Sequence, residues 1–600
     1  PQQYVLVISP NGGEAWAQTT DQTVKWRSDG FAGNVDVYYS SDGGSGWNLL
    51  ADDVANVDAW LWGNIATPLS EQYLLRIWAH DNNGIADASD AVFTVTEAIF
   101  WYYVDDNSND DDEYTPSAIG NNGNDGLSPV TPKASIRAVL ETYDLNAGDR
   151  IYVDTGNYSV TANILIGYAD SGVTIIGPIA IDHEALLTRG NTASGNYVFE
   201  LDNAHYVTIK YLSMTNAYTG VYATNASTHL TLDANVIYDN DYAGLHIQDY
   251  ASSDAVIMNN RFYGTTGVGT TDQNYGVYSR GADPTVTENT AYHTPLKQRD
   301  GLYFYDIGTG TFADNIVYNN NAGMTLRGAQ MTVSGNAAYD NAYRGIAVTD
   351  THSGQYSPVF DNQSHDNFTG LYSGGYEDVY GNFTYNNSTH GIDGSYQYWR
   401  TIHDNDSYEN QNGINVQTGE VAGNRVWGNT NVGIQASYST ATIEGNTIYG
   451  NAYGVYVNAN YQTVTVRNNV IYDNSIRGIE ANRAMSSGVA LDIVNNTVYE
   501  VGANAVHLTN SSKNVHLRNN ILWAEGAYEL YVEDNSQAGF TSDSNLFYGH
   551  AGDFLYWQQD FTSLVDWFLE LGFDGSSRVN RICNKCRGLD SRDVLGRSRD

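Results

Sequence analysis

Cations are scarce in this sequence, so the place where they gather is the first place to look for chemistry. There are 28 Lys and Arg against 69 Asp and Glu, a formal charge of −41. Lysine occurs only as Lys25, Lys133, Lys210, Lys297, Lys513 and Lys585. One stretch holds His293, Lys297, Arg299, Asp300, Tyr303 and Tyr305, and repeat register adds His246, Tyr278, Arg280 and Arg327. Such a set could perform proton abstraction beside a carboxylate. That chemistry needs a cation (Arg, Lys or Ca²⁺) to neutralise the carboxylate, a base for the proton, and an acid for the leaving oxygen. Lys297 or His293 fits the base, Tyr303 or Tyr305 the acid, and Arg280, Arg299 and Arg327 the neutralisers. His246, Tyr278, Asp300 and Tyr305 would line the binding surface. The plain alternative is a solvated loop of mixed charge. Glycosidic hydrolysis would instead need two carboxylates facing each other about 5–10 Å apart. Asp300 with Asp272 or Asp306, and Asp393 with Glu377, are conceivable pairs that spacing does not single out.

These positions come from a ruler written into the chain. The phrase Val464-Thr-Val-Arg-Asn-Asn469-Val-Ile-Tyr472-Asp-Asn474, followed by Gly478-Ile-Glu-Ala481, recurs from residue 207 to 550. Its Asn469 equivalent stands at Asn235, Asn260, Asn289, Asn315, Asn336, Asn362, Asn382, Asn405, Asn424, Asn446, Asn496, Asn520 and Asn545. A period of roughly 24 residues is a solenoid signature, in which each repeat buries its apolar face against its neighbours. Each coil reads as three strands. The residue two after the Asn is small or apolar (Ile237, Phe262, Ile471, Leu522), so alternation points it inward. The residue three after is nearly always aromatic and points outward, as a ring stack or, more sharply, a sugar platform. The Asn itself is expected to take left-handed backbone at the turn and to bond its copy one coil away. In the third strand, the outward column carries His246, Tyr278 and Tyr303, and the column two residues on carries Arg280, Tyr305 and Arg327.

The ends of the chain read differently. Residues 1–98 give short alternating runs between Gly, Asn and Asp turns, a small β-sandwich. Ser9-Pro-Asn-Gly-Gly-Glu-Ala-Trp16 and Ser40-Ser-Asp-Gly-Gly44 resemble immunoglobulin-like modules of secreted bacterial proteins, which implies a spacer or, through Trp47, Trp60 or Trp62, a carbohydrate-binding surface. Residues 99–132 form an acidic connection whose oxygens could hold Ca²⁺. Asp110 and Pro116 break the EF-hand pattern there, which favours a solvated loop. Ile136, Val139, Leu140 and Tyr143 then fall at helical spacing, a helix that would shield the end of the stack. The solenoid is expected over 133–560, a second capping helix over 561–575, and a poorly integrated basic tail over 576–600. Cys583 and Cys586 in that tail are half a zinc site at most.

Asn124-Asp-Gly126, the helix, and Ala147-Gly-Asp-Arg-Ile-Tyr-Val-Asp-Thr-Gly-Asn-Tyr158 together resemble right-handed parallel β-helix proteins of the pectate-lyase-like kind. The resemblance implies the handedness. It also implies polysaccharide lyase or uronan C5-epimerase activity through Lys, Arg, His and Tyr on one face. No family catalytic motif matches residue by residue.

The expectation is thus an all-β chain: a right-handed parallel β-helix solenoid preceded by a small β-sandwich. It would be secreted or bound to a bacterial cell surface, monomeric, and directed at an acidic polysaccharide, with Ca²⁺ as the conceivable cofactor. A non-catalytic adhesin or glycan-binding repeat is the alternative, and a glycoside hydrolase the next. The charge disfavours nucleic acid and anionic membranes. No apolar run reaches a membrane span. Pro1-Gln-Gln3 is not a signal peptide, so the chain reads as mature or excised.

Overall fold

The computed structural model describes residues 3–580 except 225, 249–253, 266–272, 294–298, 396–399, 459–461, 485–487 and 550–551. Lys297, Asp272 and the two cysteines lie outside the described residues.

The N-terminal part contains two small sheets. Tyr4–Ser9, Gln22–Asp29 and Ala59–Trp62 make one, and six strands between Ala15 and Thr96 make the other. Val7, Trp26, Trp62, Tyr73, Ile77 and Phe93 share a single core between them. Trp62 is only 3% exposed, which removes it as a sugar platform. Trp47 has the Arg76 guanidinium 3.8 Å over its ring.

The remainder is a right-handed parallel β-solenoid. Thirty-two strands form one continuous sheet and eighteen form another, and a chain of aliphatic side chains fills the space between. The solenoid begins earlier than its sequence suggests. Trp101–Val104, inside the expected linker, already pairs in parallel with Arg150–Val153. That strand carries no corner Asn, so the ruler does not mark it. The first helix, Ile136–Thr142, buries Ile136 and Val139, and the Ser135 hydroxyl accepts from the Ala138 amide. At the other end Leu555–Trp557 and Asp560–Phe561 pair antiparallel. Helix Leu564–Leu571 then stops at Gly572, whose φ of 77° needs glycine's freedom. Arg578–Val579 still adds a rung against Leu546–Phe547, so the stack passes the expected limit at 560.

The corner Asn residues form the expected ladder. The amide N and Nδ2 of Asn424 both donate to Asn446 Oδ1 at 2.9 and 3.0 Å, and its own Oδ1 accepts the same pair from Asn405. The left-handed residue, however, is the one before. Asn259, Asp314, Asp361, Gly423 and Asn468 carry φ between 54° and 63°. The side chain of the following Asn is thereby left free to point into the stack. A second ladder, missed in the sequence, runs five residues later through Asn320, Asn341, Asn367, Asn387, Asn410, Asn429, Asn451 and Asn474. Its signal was present, since Asn474 belongs to the repeating phrase.

Both ladders end on carboxylates. Glu500 accepts from the Asn474 amide and Nδ2 at 2.5 and 2.9 Å, and Asp574 accepts from Asn545 Nδ2 at 3.0 Å. The outward aromatic column is a stack on the 18-stranded sheet: Tyr292–Tyr318 and Tyr318–Tyr339 lie 4.8 and 5.0 Å apart, each 3° from parallel.

Replacing Asn424 by Ala should cost on the order of 3 kcal/mol in urea unfolding, because buried donors on Asn405 lose their acceptor. Tyr449→Leu should cost only about 1 kcal/mol. Equal costs would show that the corner amides are not the principal constraint.

Burial pushes the Glu500 carboxyl up to about 8 and Glu529 up to about 9. Both hold their protons longer folded than unfolded, so their favourable contribution is full in mild acid and is lost as pH rises through 8 to 9. The melting temperature should fall between pH 5 and pH 9 by calorimetry. Glu500→Gln with Glu529→Gln should flatten that fall; an unchanged profile would place the titration elsewhere.

Candidate functional site

Parallel register decides which outward side chains meet. Tyr222, His246, Tyr278, Tyr303 and Thr325 are consecutive partners along the third strands of adjacent coils. Rings on adjacent strands therefore touch. Tyr278 and Tyr303 stack at 5.4 Å and 5°, and His246 sets its ring edge-to-face on Tyr278 at 5.0 Å. Tyr242, just before strand Ala243–Ile247, and Tyr275, at the start of strand Tyr275–Arg280, close the shelf at 5.7 and 4.9 Å from Tyr278.

A bulge sharpens this surface. The register between Asp300–Ala313 and Ala322–Ser334 shifts between Phe304 and Ile307. Asp306 there takes a φ of 56°. An extra residue at such a point turns its neighbours out of the plain alternation. The Tyr305 hydroxyl comes 3.1 Å from that of Tyr278, and the Arg280 guanidinium lies 5.2 Å over the Tyr305 ring. Burial first, then the Tyr278 hydroxyl, push Tyr305 up to about 12. A phenol held there is protonated at neutral pH, which suits an acid and not a base.

The three arginines named as neutralisers each lie beside a carboxylate. Arg280 meets Asp306 at 3.1 Å, Arg327 meets Asp350 at 2.9 Å, and Arg299 lies 3.9 Å from Asp300. Asp300 is 5% exposed and accepts from Thr325 Oγ1 at 2.6 Å; burial raises its pKa. Among the described residues, the patch expected from sequence is thus a set of balanced Arg–Asp pairs beside an aromatic surface.

His293 does not join the shelf. It ends strand Thr290–His293 of the 18-stranded sheet with no exposed surface. Its ring fills the space left by Gly264 in the coil before, where an added Cβ would come 2.6 Å from the ring. Sequence could not show this, because the position is polar or glycine in most coils. Lys297, the other proposed base, lies outside the described residues. The hydrolase pairs fare unevenly: Asp306 is tied to Arg280, and Glu377 is 1% exposed with bonds to Thr351, Ser373 and Gly375.

A second polar group on the same columns was passed over. Arg477 Nε donates to His507 Nδ1 at 2.7 Å, and Glu480 and Glu533 lie 3.8 and 3.7 Å from the two ring nitrogens. Burial, then Arg477, push His507 down to about 4, so the ring is neutral and can accept.

Residues 179–356, 354–492 and 439–547 match the family model of the right handed beta helix region. The alginate lyase from Paenibacillus sp. str. FPU-7 aligns at 15% identity and TM-score 0.28, over 46% of this chain and 92% of its own. DFA-IIIase from Arthrobacter chlorophenolicus A6 aligns at 14% and 0.27, over 56% and 87%. The catalytic unit of the GH87 α-1,3-glucanase from Streptomyces thermodiastaticus strain HF3-3 aligns at 13% and 0.27, over 76% and 85%. No curated protein matches.

The Arg–Asp pairs are half-exposed and should matter little to the fold. Asp306→Asn and Asp350→Asn should each change unfolding free energy by less than about 1 kcal/mol in denaturant titrations. A loss several times larger would make the arginines structural.

Proposed function

We propose that this chain, which belongs to the right-handed beta-helix family, is a carbohydrate-active protein whose shelf from His246 to Arg327 binds a uronate-containing polysaccharide and abstracts its C5 proton. One observation carries the reading: stacked tyrosines lie beside guanidiniums already held by exposed carboxylates. The faces of Tyr278, Tyr303 and Tyr305 offer apolar contact to sugar rings. Arg280 and Arg327 are oriented by Asp306 and Asp350 for a carboxylate, and these exposed pairs are weak enough for a uronate to share or replace them.

In that chemistry the arginines stabilise the charge that spreads onto the uronate carboxylate as the C5 proton leaves. Tyr305, protonated at neutral pH, donates to the glycosidic oxygen in elimination. In epimerisation a proton returns to C5 from the opposite face. Among the described residues His246 is the group on the shelf that could take the proton, and Lys297 remains the base indicated by sequence. Polymers of this kind place the protein outside the cell. No helix among the described residues is long and apolar enough to cross a membrane.

Incubation with pectate, alginate and glycosaminoglycans in heavy water tests both reactions together. Elimination gives an unsaturated sugar that absorbs in the ultraviolet, its C5 hydrogen lost without replacement, and epimerisation leaves deuterium at C5. Arg327→Ala and Tyr305→Phe should each lower kcat/KM about 100-fold or more, and Lys297→Ala and His246→Ala identify the base. Binding with neither an unsaturated product nor C5 deuterium on any of these polymers would favour the non-catalytic glycan-binding reading. Full activity in the Arg327 and Tyr305 variants would remove the site.

A further inference from the structure

The acidic connection is not the solvated loop its composition suggests. It folds back over the start of the solenoid, and its carboxylates divide into two kinds. Asp154 is fully buried and fully used: it accepts from the amides of Glu113, Tyr114, Thr115 and Thr155 and from the Thr115 hydroxyl, at 2.5 to 2.8 Å. Asp106 is also used, accepting from the amides of Ser108 and Asn157 at 2.7 and 2.9 Å. These bonds fix the loop to the strand Arg150–Val153 and the turn that follows it.

Asp105 and Asp112 are left over. Asp105 has no exposed surface; Oδ1 accepts from the Asp106 amide at 2.7 Å, and Oδ2 has neither solvent nor a hydrogen-bond partner. Both carboxylate oxygens of Asp112 are in the same condition, and so is the nearby Thr155 hydroxyl. The charges acting on Asp105 are the carboxylates of Asp112, Asp154 and Asp106. The nearest lysine in the loop, Lys133, gives its ammonium to the carbonyls of Asn122 and Asn124 instead. Uncompensated anions held away from water are strongly unfavourable, and this fold builds a well-bonded frame around two of them.

We propose that Asp105 and Asp112 are ligands of a hard divalent cation of the Ca²⁺ class, which pins the 105–115 loop to the first coils of the solenoid. Oxygen donors are what such an ion takes, roughly six to eight of them, and Ca²⁺ tolerates the irregular geometry of a loop better than Mg²⁺ does. Backbone carbonyls and water would complete the shell around the two carboxylates. The site closes the end of the stack that Trp101–Val104 begins, and it is independent of the sugar-binding reading of the shelf. Among the described residues, three metal-ligating side chains come together at Asp36, Asp52 and His80 in the N-terminal sheets. There Asp36 already accepts from the Asp53 amide and from His80, so it serves as the control.

The test strips the full chain with EDTA and returns Ca²⁺, Mg²⁺ or Tb³⁺ alone. Ca²⁺ should raise the melting temperature at lower concentration than Mg²⁺. Tb³⁺ should luminesce on tyrosine excitation, because Tyr114 and Tyr152 lie 5.0 Å from each other beside the loop. Asp112→Asn should weaken Ca²⁺ at least tenfold, while Asp52→Asn leaves it unchanged. In EDTA the Asp112→Asn protein should melt no lower than the parent, since it loses an uncompensated buried charge; this separates lost binding from lost folding. A melting curve indifferent to Ca²⁺ would overturn the proposal, as would a Ca²⁺ response that survives Asp105→Asn and Asp112→Asn together. The two carboxyls would then share a proton instead.

Discussion

A primary amide is both donor and acceptor, and this fold depends on stacking that one group at the same corner of every coil. Each ladder Asn accepts two bonds from the coil before and gives two to the coil after, with Nδ2 also reaching a backbone carbonyl, as Asn424 does to Ile402. The groups are buried, so a missing partner would be costly. The neighbouring features follow. The left-handed turn is displaced to the preceding residue, the strands on either side keep their length, and loops may vary only where no ladder passes. Because register is held this firmly, outward side chains on successive coils meet as columns, and a functional surface can be written down the columns one residue per coil.

That explains what could be read from the chain. Period, inward aliphatics, outward rings and the adjacency of His246, Tyr278 and Tyr303 all follow from counting between asparagines. What could not be read depends on departures from the count. The second ladder hid because it uses the same residue type as the first. Trp101–Val104 hid because it lacks the corner residue. The burial of His293 needs Gly264 one coil earlier, and the Arg280–Asp306 pair needs a bulge that no spacing announces.

The balanced arginines bear on how an acidic polymer would arrive. A chain of formal charge −41 repels such a polymer from a distance, and the described arginines of the shelf are each matched by a carboxylate. Recognition there would act at contact, through ring faces and carboxylate exchange, within a Debye length of about 10 Å at moderate salt. Dissolved cations, by screening, would speed the approach without touching the shelf.

The ladders also have a direction. Every bond from one ladder amide to the next donates toward the C-terminal coil, so one end of each amide chain presents N–H groups and the other presents oxygen. Glu500 and Asp574 stand where the N–H groups end. They do for the ladder what an acidic cap does for a helix N-terminus. At the corners, then, two bare stacks could satisfy each other only head to tail, donor end on acceptor end. Head-to-head contact would set donors against donors. Head-to-tail addition has no closing symmetry and leads to fibres. At the donor end of the corner ladder, Asp574 means that an approaching acceptor finds oxygen where it needs N–H. A residue that completes a hydrogen-bond chain within one molecule is thus also a polarity lock against making a longer one from many.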